Sequence, residues 1–298
     1  MHLIKVSPKL FMTSLALLAT YSLLTLNALA EILPEATTGI KIPLTNKPTT
    51  KPMTVAYIPL FKRYYIADGG LAPVASEYES ATSKSLIHSY SEDGKYLQSV
   101  KAGYDNRSIY YNTNSHQLET VTYNISSDAG FSPNTGIFSI DLAEDGALKE
   151  SSKDVSGFNP AFGHSGTMPT YNADTNQYYA KQGRSNLVFV VDTKNREKVT
   201  EIALDLAKAG AAFDDVSDLY IAYSGRKGEE LVLLDIDHKA ALIFDLKGQY
   251  VGKSELPKSL KLHAQNHYSG LGYANDMLFV YNENEGEFGT YYGFNVIK

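Results

Sequence analysis

The 298-residue sequence has no cysteine and no tryptophan. Without thiols there is no disulfide framework, no thiolate metal centre and no cysteine for lipid attachment. Stability must therefore come from packing. An exported eukaryotic domain of this size would often carry disulfides, so their absence points to a bacterial periplasm or medium. Basic clusters are also missing. The formal net charge is −6, and no run of Lys and Arg follows residue 30. A phosphate-binding surface needs such clusters, which argues against a nucleic-acid partner. Nor does any apolar run after residue 30 reach the ~20 residues of a membrane span. There is no Walker loop, dinucleotide fingerprint or His-Glu-x-x-His zinc motif. Gly163-His164-Ser165-Gly166 lacks the last glycine of a nucleophile elbow.

What is present begins with a leader. Lys5 and Lys9 precede an uncharged apolar run over residues 10–26, and Asn27-Ala28-Leu29-Ala30 ends in a small-x-small pattern. That order predicts a secretory signal peptide over residues 1–30, cleaved after Ala30. An uncleaved anchor is the alternative, although Thr and Ser dilute the run. With the leader removed no membrane span is expected. The protein should be periplasmic or secreted, with residues 31–52 as an N-terminal segment and residues 53–298 as the folded domain.

That domain repeats. Apolar runs over residues 85–91, 136–141, 186–192, 240–245 and 290–295 each end in a polar residue. Those residues are Ser91, Asp141, Asp192, Asp245 and Asn295, so the separations run 50, 51, 53 and 50. Each of the first four runs leads into a turn (Asp93-Gly94, Asp145-Gly146, Lys194-Asn195, Lys247-Gly248) and then into another strand-like segment. Two further strand-like segments precede most runs. Four short strands per ~50 residues, rich in Val, Ile, Tyr and Phe, describe the blade of a β-propeller.

The fold expected is therefore all-β: a propeller of five four-stranded antiparallel blades. Six blades is the alternative, with an extra one around residues 69–84 or 204–218. The last repeat stops after its third strand, and residues 39–44 offer a spare strand to close the ring. The segment 204–212 reads as a short helix. Residues 65–69 (Tyr-Ile-Ala-Asp-Gly) and 242–251 (Leu-Ile-Phe-Asp-Leu-Lys-Gly-Gln-Tyr-Val) resemble the repeats of NHL and YVTN-type propellers. The resemblance implies architecture only, because that architecture serves binding proteins and enzymes alike.

In a propeller, the loops leading into the innermost strands gather at one channel mouth. Here they carry Asp105, Arg107, His164, Asp214, Asp215 and His267. Asp105, Arg107, His164, Asp215 and His267 are the candidate ligand-binding residues, and His164, His267 and Asp215 a candidate set for a divalent metal ion. The competing reading has the histidines bonded to loop backbone and the aspartates capping turns. The loop Asn282-Glu-Asn-Glu-Gly286 is an incomplete match to a calcium loop and reads as a strand connection. The 22 tyrosines fall mostly at strand positions and read as packing, with a sugar- or peptide-binding surface as the alternative.

No catalytic motif stands out, so the first functional reading is an exported, non-enzymatic binding or scaffold protein. Its partner would be a protein, peptide or small molecule at the channel mouth. The alternative is a metal-assisted hydrolase or lyase using the His/Asp residues of that mouth. Sugar hydrolysis would need two carboxylates, for which Asp105 and Asp215 are the candidate pair. A structural role in an envelope assembly is a third reading.

Overall fold

The structure, a computed structural model, describes residues 31–48, 51–69, 86–101, 106–123, 135–164, 166–192, 194 and 197–298. The proposed leader and its cleavage site, Asp105, and nearly all of the 69–84 segment lie outside the described residues. Among the described residues, no helix is long and apolar enough to cross a membrane.

The first strand, β1 (Ile32–Pro43), pairs with the last part of the chain. The next four, β2 (Lys51–Ile58), β3 (Arg63–Gly69), β4 (Leu86–Ser91) and β5 (Tyr96–Val100), form an antiparallel sheet in chain order. The same meander recurs in β6 (Asn106–Asn112), β7 (Gln117–Tyr123), β8 (Thr135–Leu142) and β9 (Leu148–Asn159). It recurs again in β10 (Thr170–Asn172), β11 (Gln177–Lys181), β12 (Leu187–Asp192) and β13 (Glu197–Ala203). A fourth set is β14 (Ala222–Tyr223), β15 (Leu231–Asp235), β16 (Ala240–Phe244) and β17 (Tyr250–Glu255). The last is β18 (Leu271–Ala274), β19 (Met277–Asn282) and β20 (Thr290–Ile297), completed by β1. The fold is thus all-β, a propeller-like series of four-stranded meanders.

β1 runs antiparallel to β20, with Ile42 opposite Tyr291 and Pro43 opposite Thr290. The strand starts earlier than the sequence pattern suggested, because the linker-like residues from Ile32 also pair. A single parallel pair, Glu35 with Glu255, joins β1 to β17 as well.

The five recurrent runs are the third strands of their sheets: β4, β8, β12, β16 and β20. Their terminal polar residues recur for a local reason. Asp245 Oδ1 accepts from the Lys247 and Gln249 amides, both at 2.9 Å, and Asp192 Oδ1 accepts from Lys194 N at 2.9 Å. Ser91 Oγ likewise accepts from Lys95 N at 3.1 Å. A side-chain acceptor at the strand end satisfies turn amides that would otherwise be unpaired.

Burial grades outward within each sheet. First strands such as β2 are buried almost throughout, whereas outer strands such as β13 (Glu-Lys-Val-Thr-Glu-Ile-Ala) and β17 are mostly exposed and charged. Charged outer strands discourage edge-to-edge association. The first strands touch one another in the order β2, β6, β10, β14, β18 and back to β2. The main core draws on most of the sheets, with Met53, Ile109, Leu118, Val232, Leu271 and Phe294 among its members. Between β13 and β14 the chain makes one short helix, α1 (Leu206–Ala209). Asp205 caps Lys208 N at 3.1 Å, and Gly210 ends the helix in the left-handed conformation.

Candidate functional site

Two loops that lead into first strands meet at one end of the molecule. Residues 213–218 lead into β14, and a 3-10 turn, Ala264–His267, leads into β18. Between them lies a cavity of ≈ 310 Å³ lined by Arg184, Phe213, Asp214, Asp218, His267 and Tyr268.

His267 Nδ1 lies 3.1 Å from the Val216 carbonyl. A carbonyl only accepts, so Nδ1 carries the hydrogen and the neutral ring has a bare Nε2. That Nε2 is 3.9 Å from Asp237 Oδ1, and the side chain is partly open to solvent. The His267 carbonyl also accepts from Asp218 N at 2.8 Å, which ties the two loops together.

His164 is fixed in the opposite sense. Its Nδ1 accepts from the Gly166 amide at 3.1 Å. An amide only donates, so Nδ1 is bare and the neutral ring carries its hydrogen on Nε2. Gln182 positions the residue. Its Oε1 accepts from His164 N at 2.9 Å, while its Nε2 donates to the carbonyls of Phe162 and Ala180.

Asp218 lines the same cavity as His267 and lies near His164. A Cβ on Gly183 would lie 3.4 Å from Asp218 Oδ2 and 3.5 Å from His164 Cδ2, so the two side chains flank one glycine. Arg184 N donates to Asp218 Oδ1. Beneath them the buried Lys181 ammonium donates to the carbonyls of Gln182 at 3.0 Å, Ser185, and Asp218 at 3.4 Å. Burial lowers the Lys181 pKa to about 8, with the Asp218 charge acting in the other direction.

Thus Asp218 lines the cavity with His267 and flanks Gly183 together with His164. Asp215 is not part of this group. Its Oδ2 accepts from Ala212 N at 2.7 Å, and its carbonyl accepts from Ile236 N and Asp237 N, so it shapes the loop as the turn-capping reading expected. The Arg107 carbonyl accepts from Thr54 Oγ1 at 3.1 Å and links β6 to β2. Among the described residues, no group of three His, Asp or Glu is placed to hold a metal ion, so the set His164, His267 and Asp215 does not assemble. The supposed calcium loop is a turn in which Asn282 Oδ1 accepts from Asn284 N at 3.2 Å. Asp218 and Arg184 were missed because their roles arise across chain separations. The only local signal is that Asp218 immediately precedes an apolar run.

A second cavity, of ≈ 460 Å³, opens at the far ends of the first strands. Tyr57, Tyr111, Tyr171, Tyr223 and Tyr273, one from each first strand, line it. The tyrosine excess thus concentrates at a channel mouth as well as in the core. Thr170 Oγ1 and Tyr273 Oη are buried there without a protein partner. Burial raises the Tyr273 pKa and lifts that of Tyr223 to about 12, so these phenols stay neutral hydrogen-bond donors. At the rim Asp276 pairs with Arg226 at 3.3 Å.

No protein-family profile matches the sequence, and no curated protein matches it either. Solved structures do. Glutaminyl cyclase from Myxococcus xanthus is 8% identical with a TM-score of 0.51, over 88% of this chain and 97% of that one. The periplasmic gluconolactonase of Pseudomonas aeruginosa is 11% identical with a TM-score of 0.37, over 83% and 72% of the two chains. Virginiamycin B lyase from Staphylococcus aureus is 14% identical with a TM-score of 0.36, over 81% and 66%. At 8% identity, the likeness to the cyclase carries the fold and no residue roles. The cyclase, whose likeness carries the fold, is itself an enzyme, and that finding stands against the reading of a non-enzymatic binding or scaffold protein, which is not carried further.

Proposed function

We propose that the protein is an enzyme of hydrolase or lyase type whose reaction takes place at the cavity lined by Asp218 and His267, with His164 flanking Gly183 beside Asp218. The carrying observation is the opposed tautomers of the two histidines, set by the Gly166 amide and the Val216 carbonyl. His267 offers a bare Nε2 and is the general base. It takes a proton from water, or from a carbon next to a carbonyl, and returns it to the leaving group. Asp237, 3.9 Å away, supports the imidazolium formed in between. His164 presents a neutral Nε2–H, a hydrogen-bond donor for a developing oxyanion. The Arg184 guanidinium, at the cavity wall, holds an anionic part of the substrate. The tyrosine-lined mouth is the larger cavity, but its lining contains no histidine.

The scaffold we propose is a five-bladed propeller over residues 53–298, its ring closed by β1 from the segment 31–52. The circuit of contacts among the first strands supports this, as does the pairing of β1 with β20. Residues 1–30 are proposed to be removed on export to the periplasm or medium.

Turnover by the purified protein of chromogenic esters, lactones and glycosides, and of elimination substrates, tests the proposal. His267→Gln is expected to lower kcat on the responsive substrate roughly 10²–10⁴-fold. His164→Gln should do so to a similar degree, and Asp215→Asn should change it little. Wild-type turnover of a glycoside or an elimination substrate that survives in the His164→Gln, His267→Gln double variant would overturn the assignment.

A further inference from the structure

Away from both channel mouths, the first sheet aligns three side chains that the proposed reaction does not use. His88 on β4 faces Ser99 on β5, and Asp68 on β3 lies diagonally across from His88. His88 Nε2 is 3.1 Å from Asp68 Oδ2, and His88 Nδ1 is 2.6 Å from Ser99 Oγ. Asp68 and His88 are buried, whereas Ser99 is partly exposed.

The hydrogen positions follow from the partners. An ionised carboxylate only accepts, so Nε2 carries the imidazole hydrogen and Nδ1 is bare. Ser99 must then donate its hydroxyl hydrogen to Nδ1. The Ser99 oxygen in turn accepts from Asn46 Nδ2 at 3.0 Å and from Tyr96 Oη at 3.1 Å. Asn46 Nδ2 also donates to Tyr96 Oη at 3.0 Å. The array therefore contains a hydroxyl aimed at a base, a buried carboxylate orienting that base, and two neutral donors beside the hydroxyl. Those are the parts of an activated serine nucleophile, recognised by role and geometry.

We propose that Ser99 is a second reactive centre, independent of the channel, that accepts acyl groups from small carboxylic esters. Ser99 Oγ attacks the ester carbonyl as its proton passes to His88 Nδ1, and Asp68 stabilises the resulting imidazolium. Asn46 Nδ2 and Tyr96 Oη stand where they can donate to the oxyanion of the tetrahedral intermediate. The C–O bond to the alcohol then breaks, and the alcohol leaves with the proton held by His88. Water attacks the acyl-serine by the same path and releases the carboxylic acid.

The experiment uses two probes, p-nitrophenyl acetate and an alkyl fluorophosphonate, on the full folded protein. The modified residue is located by peptide mass spectrometry. Ser99 should carry the adduct. His88→Gln should slow its formation at least 100-fold, and the Asn46→Ala, Tyr96→Phe pair about 10-fold with no change in thermal midpoint. His267→Gln should leave labelling intact, which separates this centre from the channel reaction. Native wild-type protein with no adduct at Ser99 overturns the proposal. So does labelling whose rate neither His88→Gln nor the Asn46, Tyr96 pair alters. If His88→Gln does not fold, the partly exposed pair decides alone.

Discussion

Gly248 shows how one missing methyl group sets a turn. Its φ is +78°, and a Cβ there would lie 2.1 Å from the Ala203 carbonyl oxygen. Both the left-handed backbone and the close approach of the neighbouring segment require glycine. Gly248→Ala should therefore cost roughly 2–4 kcal/mol, read as a lower midpoint in urea unfolding. Lys181 makes a different prediction. Its folded pKa of about 8 lies below its ordinary value of 10.5. Between those values the unfolded chain binds more protons, so stability should rise with pH across that window, by an amount on the order of 3 kcal/mol. Titration of the tyrosines acts oppositely above about pH 10, because burial raises the pKa of Tyr64, Tyr65 and Tyr90 in the folded state. The rise should thus be clearest between pH 8 and 10, and absent in Lys181→Met. Some of this was legible residue by residue. Asp245 and Asp192 could be read as turn caps, since a carboxylate two residues before an amide is a local matter. The histidine tautomers could not, because Val216 reaches His267 across a chain separation of 51 residues.

At the scale of elements, β1 matters most. It covers the edge of β20 and buries Ile42 against the core that holds Tyr291 and Phe279. Without it β20 would present an unpaired, largely apolar edge, which invites association between copies. A chain starting at residue 44 should therefore show a lower calorimetric midpoint and a concentration-dependent shift to larger species in size-exclusion chromatography. A monomer with unchanged midpoint would show that the strand is dispensable. The place for this strand was visible in the repeat arithmetic. Its true start at Ile32 was not, because Glu31 to Thr38 lacks the alternation of a strand and pairs only because β20 continues opposite it. The strand β10 was also obscure. It is only Thr170–Asn172, too short for a periodic signal, and is held by its pairing with β11.

On the scale of the whole molecule, the circuit of first strands and a core running from Met53 to Ile297 make the sheets mutually dependent. Heating should give one transition, with calorimetric and van't Hoff enthalpies that agree. Two resolved transitions would show that the meanders unfold separately. The amino-acid sequence by itself determined the β class, the period near 50, the turn chemistry and the loops worth inspecting, because strand pattern and turn residues act over a few neighbours. It also singled out His164 and His267 through their equivalent positions in the repeat. Only the tertiary structure decided that Asp218, and not Asp215, lines the cavity with His267. Asp215 is consumed by the amide of Ala212, three residues away, while Asp218 accepts from the Arg184 amide and flanks Gly183 with His164. The same holds for Asp68, His88 and Ser99. They belong to separate stretches of sequence, and only the register of three adjacent strands brings a carboxylate, an imidazole and a hydroxyl into one line.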